Sequence, residues 1–188
     1  MLSQAFDEDP VISWVIRDDD KRPNALRRLF TYILRESIPH GEVTASEELD
    51  ACAVWLPPGV WTEPPGPLES LRMLPETLRW TGLGRLQRYR DMAAAEFAKR
   101  PREPHFYLAI LGVKPSRRGQ GLGSALLSHT LSRLDEAGVP AYLENSNEAN
   151  TPLYERHGFK VVDTIRLMGG GPTMWCMWRE PASGAQGN

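Results

Sequence analysis

Apolar residues along this chain fall into two spacings, and the alternation between them predicts the order of its elements. Leu26, Leu29, Phe30, Ile33, Leu34 and Ile38 recur three and four apart, a helical stripe that Pro23 opens and Gly41 stops. Ahead of it, residues 1–17 hold an amphipathic piece ending at Asp9-Pro10 and a short apolar run from Val11 to Ile16. After it, residues 42–46 and 51–56 are rich in strand formers and flank the polar Glu47-Glu48-Leu49-Asp50. They read as an antiparallel hairpin that Pro57-Pro58-Gly59 ends. Residues 60–104 change character. Prolines and glycines are expected to cut this helical region into pieces, with Leu68, Leu71, Leu74 and Leu78 in one and Leu86, Tyr89, Ala93 and Phe97 in another. Such an insertion can wall a ligand site or simply cover a sheet.

The second half predicts a strand (105–113), a glycine-rich loop, a helix (121–138), a strand (139–145), a helix (about 150–157) and two strands (159–167 and 173–179). Gly138 and Gly158 stand where a left-handed residue ends each helix, and Thr151-Pro152 suits a helix start. The order describes a mixed α/β sheet with a strand–loop–helix–strand crossover at its centre. At 188 residues the chain fits one domain over residues 1–180, with a small, polar tail at 181–188 expected to be disordered.

Composition removes several classes of partner. A formal charge of −2 gives no basic field for nucleic acid or an anionic membrane. Charge or proline interrupts every apolar run, so no membrane span is predicted, and the start lacks the order of a secretion signal. Cys52 and Cys176 lie in separate apolar runs and read as buried free thiols, which fits a cytoplasmic protein. Two cysteines and four scattered histidines give no metal-site spacing.

The stretch Val113-Lys-Pro-Ser-Arg-Arg-Gly-Gln-Gly-Leu-Gly-Ser124 carries the most chemistry. A glycine-rich turn between a strand and a helix sets free backbone N–H groups beside the positive end of the helix dipole, a natural phosphate cradle. A P-loop would need Gly-Lys-Ser/Thr, and Gly123 is followed by Ser124-Ala125. A dinucleotide fingerprint would want a third glycine where Ser124 stands. The pattern Arg/Gln-x-x-Gly-x-Gly/Ala is met by Arg118, Gly121 and Gly123.

That pattern, with Tyr142-Leu-Glu-Asn-Ser-Asn-Glu-Ala-Asn150 and Leu153-Tyr-Glu-Arg-His-Gly-Phe159 after it, resembles the GNAT superfamily of acetyl-CoA-dependent N-acetyltransferases. Further segments look like puromycin-type antibiotic N-acetyltransferases and their relatives: Ala5-Phe-Asp-Glu-Asp-Pro10, Ala53-Val-Trp-Leu-Pro-Pro-Gly59, His105-Phe-Tyr-Leu108 and Gly171-Pro-Thr-Met-Trp-Cys-Met177. The likeness covers nearly the whole chain, most specifically residues 105–160 and more loosely 60–104. It implies a GNAT fold, a mixed but mostly antiparallel sheet, whose usual first strand has no room in residues 1–4. An uncovered sheet edge would invite a homodimer.

The resemblance also implies roles. The amides of Arg118, Gly119, Gln120, Gly121, Leu122, Gly123 and Ser124 would hold the coenzyme A pyrophosphate, and 105–160 would form the acetyl-CoA-binding core. Leu111 and Val113 would offer backbone groups to the pantetheine arm, and Asn150 or Asn147 would hydrogen-bond it, although either Asn could equally cap a helix. Tyr154 holds the position from which a phenol protonates the departing thiolate; the alternative is an aromatic packed beside Leu153 and Phe159. For a general base, Glu144 at the C-terminal end of a buried strand is the first candidate and His105 the second. Trp14, Trp61 and Trp80 either line an acceptor pocket or pack. The expected activity is direct transfer of acetyl to a small-molecule amine in a ternary complex, without nucleic acid, membrane or metal. Acetylation of a protein N-terminus or lysine, a non-catalytic acyl-CoA binder and a nucleotide-binding domain stay open beside it.

Overall fold

The computed structural model describes residues 1–61 and 63–182. Helices α1 (Leu2–Ala5), α2 (Pro10–Val15) and α3 (Arg22–Ser37) come first, followed by strands β1 (Glu42–Ala45) and β2 (Ala51–Leu56). Helices α4 (Pro67–Thr81) and α5 (Leu86–Lys99) lead into β3 (Phe106–Val113), α6 (Leu122–Ala137), β4 (Ala141–Asn145), α7 (Thr151–Arg156), β5 (Lys160–Arg166) and β6 (Thr173–Arg179). The six strands form one sheet in the order β1-β2-β3-β4-β6-β5, parallel only between β3 and β4. No strand precedes α1 among the described residues, and β1 forms that edge of the sheet. Among the described residues no helix is long and apolar enough to cross a membrane.

Strand periodicity divides the core into two layers. Cys52, Val54, Tyr142 and Cys176 face α1–α4, where Val15, Leu26, Phe30 and Trp80 are buried. Ala53, Trp55, Leu143 and Met177 face α6 and α7, against Leu127, Leu131, Leu134, Tyr154 and Phe159. Gly112 lets α1 lie close on β3: a Cβ there would stand 2.7 Å from Leu2 Cδ2 and 3.0 Å from the Phe6 ring.

Two features shape the centre of the sheet. First, the β2–β3 register slips between Val54/Trp55, whose partners are Ile110 and Leu108, so Ala109 is an extra residue in β3. This bulge sends Ala109 and Ile110 to one face and Leu108 and Leu111 to the other. Second, β3 and β4 pair only through Phe106↔Ala141 and Tyr107↔Tyr142. Beyond them the parallel strands part, leaving a gap between the C-terminal half of β3 and the end of β4.

The Val11–Ile16 run is largely helix α2, because Asp9 caps it by accepting from the Val11 and Ile12 amides at 3.0 Å. The 60–104 region forms the two expected helical pieces: Leu68, Leu71, Leu74 and Leu78 lie in α4, which continues through Pro75 for 15 residues, and Leu86, Tyr89, Ala93 and Phe97 lie in α5. Pro75 withdraws one amide from the Leu71 carbonyl, but Pro75 and Leu71 are both exposed, so water can serve that carbonyl. The leucine stripe of α4 is not core. Leu68 and Leu71 are 64% and 65% exposed, and Leu71 and Leu74 form part of a cavity wall instead.

Candidate active site

The glycine loop leaves β3 through a short 3-10 turn at Pro115–Arg117 and enters α6 at Gly121. Gly119 and Gly121 take φ of +75° and +81°, a left-handed backbone that favours glycine, and no atom lies within 4 Å of where either Cβ would stand. Among the described residues, no backbone acceptor takes the amides of residues 119–124. They include the first amides of a 16-residue helix, so an open, amide-lined surface meets the positive end of its dipole. The donor set fits a pyrophosphate.

The side chains of this loop have other duties. Arg118 Nη2 donates to the Ala5 carbonyl at 2.7 Å and so closes the C-terminus of α1. Ser124 Oγ lies 2.6 Å from His157 Nε2, tying the start of α6 to the end of α7. Gln120 reaches back toward the Ser116 carbonyl at 3.5 Å. Leu122 and Gly123 open the helix; a Cβ on Gly123 would only touch Val113, Leu153 and Leu111 at 3.5–3.9 Å. Gly123 is thus a packing position, unlike Gly119 and Gly121.

Backbone alternation orients the gap. Lys114 N–H donates to the Asp50 carbonyl on the β2 side at 2.8 Å. Two-residue alternation then turns the N–H and C=O of Val113 and Leu111 to the opposite edge, toward the gap left by β4. These groups have the orientation needed to receive an extended chain.

A cavity of about 1040 Å³ lies between the helical layer and this part of the sheet. Leu111, Asn150, Tyr154 and Glu144 all line it, with Tyr32, Trp61, Trp80, Tyr89, Phe97 and Tyr107 supplying aromatic walls. Trp80 is also core, 1% exposed, with Tyr32 and Tyr89 rings 5.2 and 6.3 Å away. Trp14 packs instead beneath Arg88, 5.4 Å from its guanidinium carbon.

The structure separates the paired candidates. Asn147 accepts from the Ala149 amide at 3.1 Å and caps a short turn, whereas Asn150 makes no side-chain cap and lines the cavity. Tyr154 is buried against Phe159, and burial, with the Asp9 charge adding to it, raises its phenol well above the ordinary value of 10.0. It stays neutral and able to donate. His105 is not among the cavity residues: its Nδ1 lies 2.6 Å from the Glu103 carbonyl, and its ring packs edge-on against Tyr142 and Trp178. Burial lowers its pKa and favours the neutral ring.

Glu144 sits at the inner end with its side chain 2% exposed. Burial raises its pKa, opposed by the Arg100 charge and by the neighbouring Tyr107 and Tyr142 hydroxyls. Arg100 Nη2 approaches Glu144 Oε1 at 3.5 Å, and the guanidinium lies over the Tyr107 ring at 4.1 Å. Glu96, one helical turn before Arg100 on α5, lines the same cavity; burial and the Glu144 charge push it up to about 8. Asp9, 9% exposed, also lines it, accepting from Ser146 Oγ while capping α2. Sequence reading missed Glu96, Arg100 and Asp9 as site residues. In the sequence, Asp9-Pro10 stood out as the end of an amphipathic piece and as part of the Ala5–Pro10 likeness, with no site role attached.

Known proteins resemble this chain in sequence and fold. The family model described as "Acetyltransferase (GNAT) family" matches residues 52–159. An uncharacterized N-acetyltransferase of Schizosaccharomyces pombe is 24% identical over 174 residues, 88% of this chain and 70% of that protein. A mycothiol acetyltransferase of Propionibacterium freudenreichii is 42% identical over 64 residues, 32% of this chain but only 20% of its own length. A Corynebacterium glutamicum structure described as histone acetyltransferase HPA2 and related acetyltransferase superposes with a TM-score of 0.71 at 28% identity, covering 96% of this chain and 87% of that one. With the family model spanning residues 52–159, from the hairpin through the glycine loop to the end of α7, the chain belongs to the GNAT family of acetyltransferases.

Proposed function

We propose that this protein transfers acetyl from acetyl-CoA to a primary amine of a small molecule, by direct attack in a ternary complex. One observation carries the reading: Tyr154 and Glu144, from elements beside the β3–β4 gap, line one aromatic-walled cavity. Acetyl-CoA, when bound, supplies a thioester carbonyl open to attack and a thiolate leaving group. The amides of residues 119–124 would hold its pyrophosphate, and the outward edge of Leu111 and Val113 with Asn150 would receive the pantetheine arm.

Glu144 would take the proton an ammonium must lose before nitrogen can attack, directly or through water. A carboxyl raised by burial is better matched to that task near neutral pH than an exposed one. Tyr154, kept neutral, would hydrogen-bond or protonate the departing sulfur. Cys52 and Cys176 are free and buried, and burial raises both thiols, so neither suits an acyl-carrying role. Aromatic walls and a cavity of bounded size favour a small amine over a peptide lying in a groove.

The test is acetyl-CoA-dependent thiol release across aliphatic amines, arylamines, aminonucleosides and peptides with free N-termini or lysines. Small amines should be the substrates. Turnover only on peptides would move the acceptor to proteins, and CoA binding without turnover on any amine would make the chain an acyl-CoA binder. Stabilisation by ATP or NAD in place of CoA would return it to the nucleotide-binding alternative.

A further inference from the structure

The inner end of the cavity already holds a cation. Arg100, the residue that ends α5, donates from Nη1 to the Trp61 carbonyl at 2.5 Å and from Nη2 toward Glu144 Oε1 at 3.5 Å. Its guanidinium lies 4.1 Å from the Tyr107 ring centroid and 5.1 Å from that of Phe97. Both partners of the ion pair are sealed, at 7% and 2% side-chain exposure. Yet the pair is long and incompletely bonded. Arg100 Nε, Glu144 Oε2 and the Tyr142 hydroxyl are buried without a hydrogen-bond partner among the described residues.

We infer that Arg100 stands in for the acceptor's ammonium: its guanidinium fills the cation subsite on Glu144, and binding of an acceptor exchanges one cation for the other. The inference rests on the amine acetylation proposed above and narrows the acceptor to amines that carry a positive charge at neutral pH.

Three observations support the exchange. Glu144 is surrounded by Glu96 from α5, Tyr107 from β3, Tyr142 from β4 and Cys176 from β6, so Arg100 is the positive charge that acts on it among the described residues. A neutral arylamine that displaced Arg100 would strand a buried carboxylate without a partner, whereas an alkylammonium keeps the charge count unchanged. Glu144 is already desolvated, so its burial penalty does not recur when the incoming cation binds. Finally, Arg100 sits where the chain leaves α5, its backbone at φ −63°, ψ 130° ahead of Pro101, and its side chain lines the same cavity as Tyr154 and Asn150.

The test uses the full chain with Arg100→Ala and Arg100→Met, the second keeping an apolar stem over Tyr107. Thermal shift with methylguanidinium and with n-butylammonium, in the absence of acetyl-CoA, reads the cation subsite without turnover. Both variants should be stabilised by these cations at concentrations that leave the wild type unmoved, and the added substitution Glu144→Gln should remove the response. In the thiol-release assay, the KM for an aliphatic amine should fall by about tenfold in the variants, and methylguanidinium should inhibit them competitively against the amine. Wild-type protein should prefer alkylamines to arylamines. The inference is overturned if methylguanidinium restores turnover to Arg100→Ala instead of inhibiting it, which would make Arg100 a positioning residue for Glu144. Arylamines used as well as alkylamines would also overturn it. Should Arg100→Ala not fold, Arg100→Met and the wild-type amine panel decide. Absence of turnover on every amine would sink the acetylation reading, and the thermal shifts would still show whether Glu144 accepts an exchanged cation.

Discussion

Alanine at Gly121 and alanine at Gly123 should move stability in opposite directions, although the two sites are two residues apart. Gly121 sits at φ 81°, ψ −3°, with nothing within 4 Å of the Cβ position, so the substitution meets no clash and its cost is purely conformational. An L-residue held in that left-handed region costs roughly 1–2 kcal/mol. Gly123 has ordinary helical backbone, and a Cβ there would touch Val113 Cγ2 at 3.5 Å and Leu153 Cδ2 at 3.8 Å, an ordinary contact. Ending glycine's excess freedom in a helix is worth roughly 0.5–1 kcal/mol. For a chain of this size each kcal/mol moves Tm by about 2–4 °C, so Gly121→Ala should melt about 2–8 °C lower and Gly123→Ala about 1–4 °C higher. Urea unfolding at constant m, without ligand, measures both. Calorimetry with CoA then adds the functional half. The Gly121 methyl would stand on the open side of the amide cradle and should weaken binding, whereas the Gly123 methyl points into Val113 and Leu153 and should leave it near wild type. Equal stability of Gly121→Ala and wild type would refute the backbone reasoning. Equal loss of CoA binding in both variants would remove the cradle from the pyrophosphate role.

Three further outcomes follow from the site and its walls. Tyr154→Phe should lower kcat with little change in CoA affinity, as expected of a proton donor used only in the transition state; unchanged turnover would take Tyr154 out of the chemistry. Glu96 should make stability fall with rising pH. Its carboxyl ionises near 4.5 in the unfolded chain but is pushed up to about 8 in the folded one by burial and the Glu144 charge, so the folded state holds the extra proton between those values. Glu96→Gln should therefore match wild type near pH 4.5 and become the more stable protein toward pH 8, and parallel pH profiles would contradict it. Trp80→Ala empties a position 1% exposed between Tyr32 and Tyr89 and should cost about 3–5 kcal/mol in urea unfolding; a loss under 1 kcal/mol would mean the helical wall collapses onto the space.

Where the sequence was legible, neighbours in the chain were also neighbours in space. The stripe from Leu26 to Leu34, the hairpin around Glu47–Asp50 and the glycine loop are local patterns whose chemistry is decided within a few residues, and each stands where its pattern predicted, although Ile38 falls just past the end of α3 and is exposed. The β3–β4 gap has no such signature. Phe106–Val113 is apolar except for glycine, so neither the bulge at Ala109 nor the end of pairing after Tyr107 leaves a mark in the spacing. The leucines of α4 show the converse, because a helical stripe looks the same whether it faces a core or a cavity. The site residues missed by sequence are those defined by distant partners: Asp9 meets Ser146 137 positions away, and Arg100 meets Glu144 44 positions away. Both contacts run from the helical segments to β4 or the turn just after it. The half of the site proposed to face CoA is therefore encoded largely within residues 111–154, whereas the half proposed for the acceptor exists only once residues 9 and 96–100 are folded against it. Substitutions in α5 can change the charge presented to an acceptor while leaving the loop, the gap and Tyr154 untouched, so amine preference and CoA binding should vary independently in this protein.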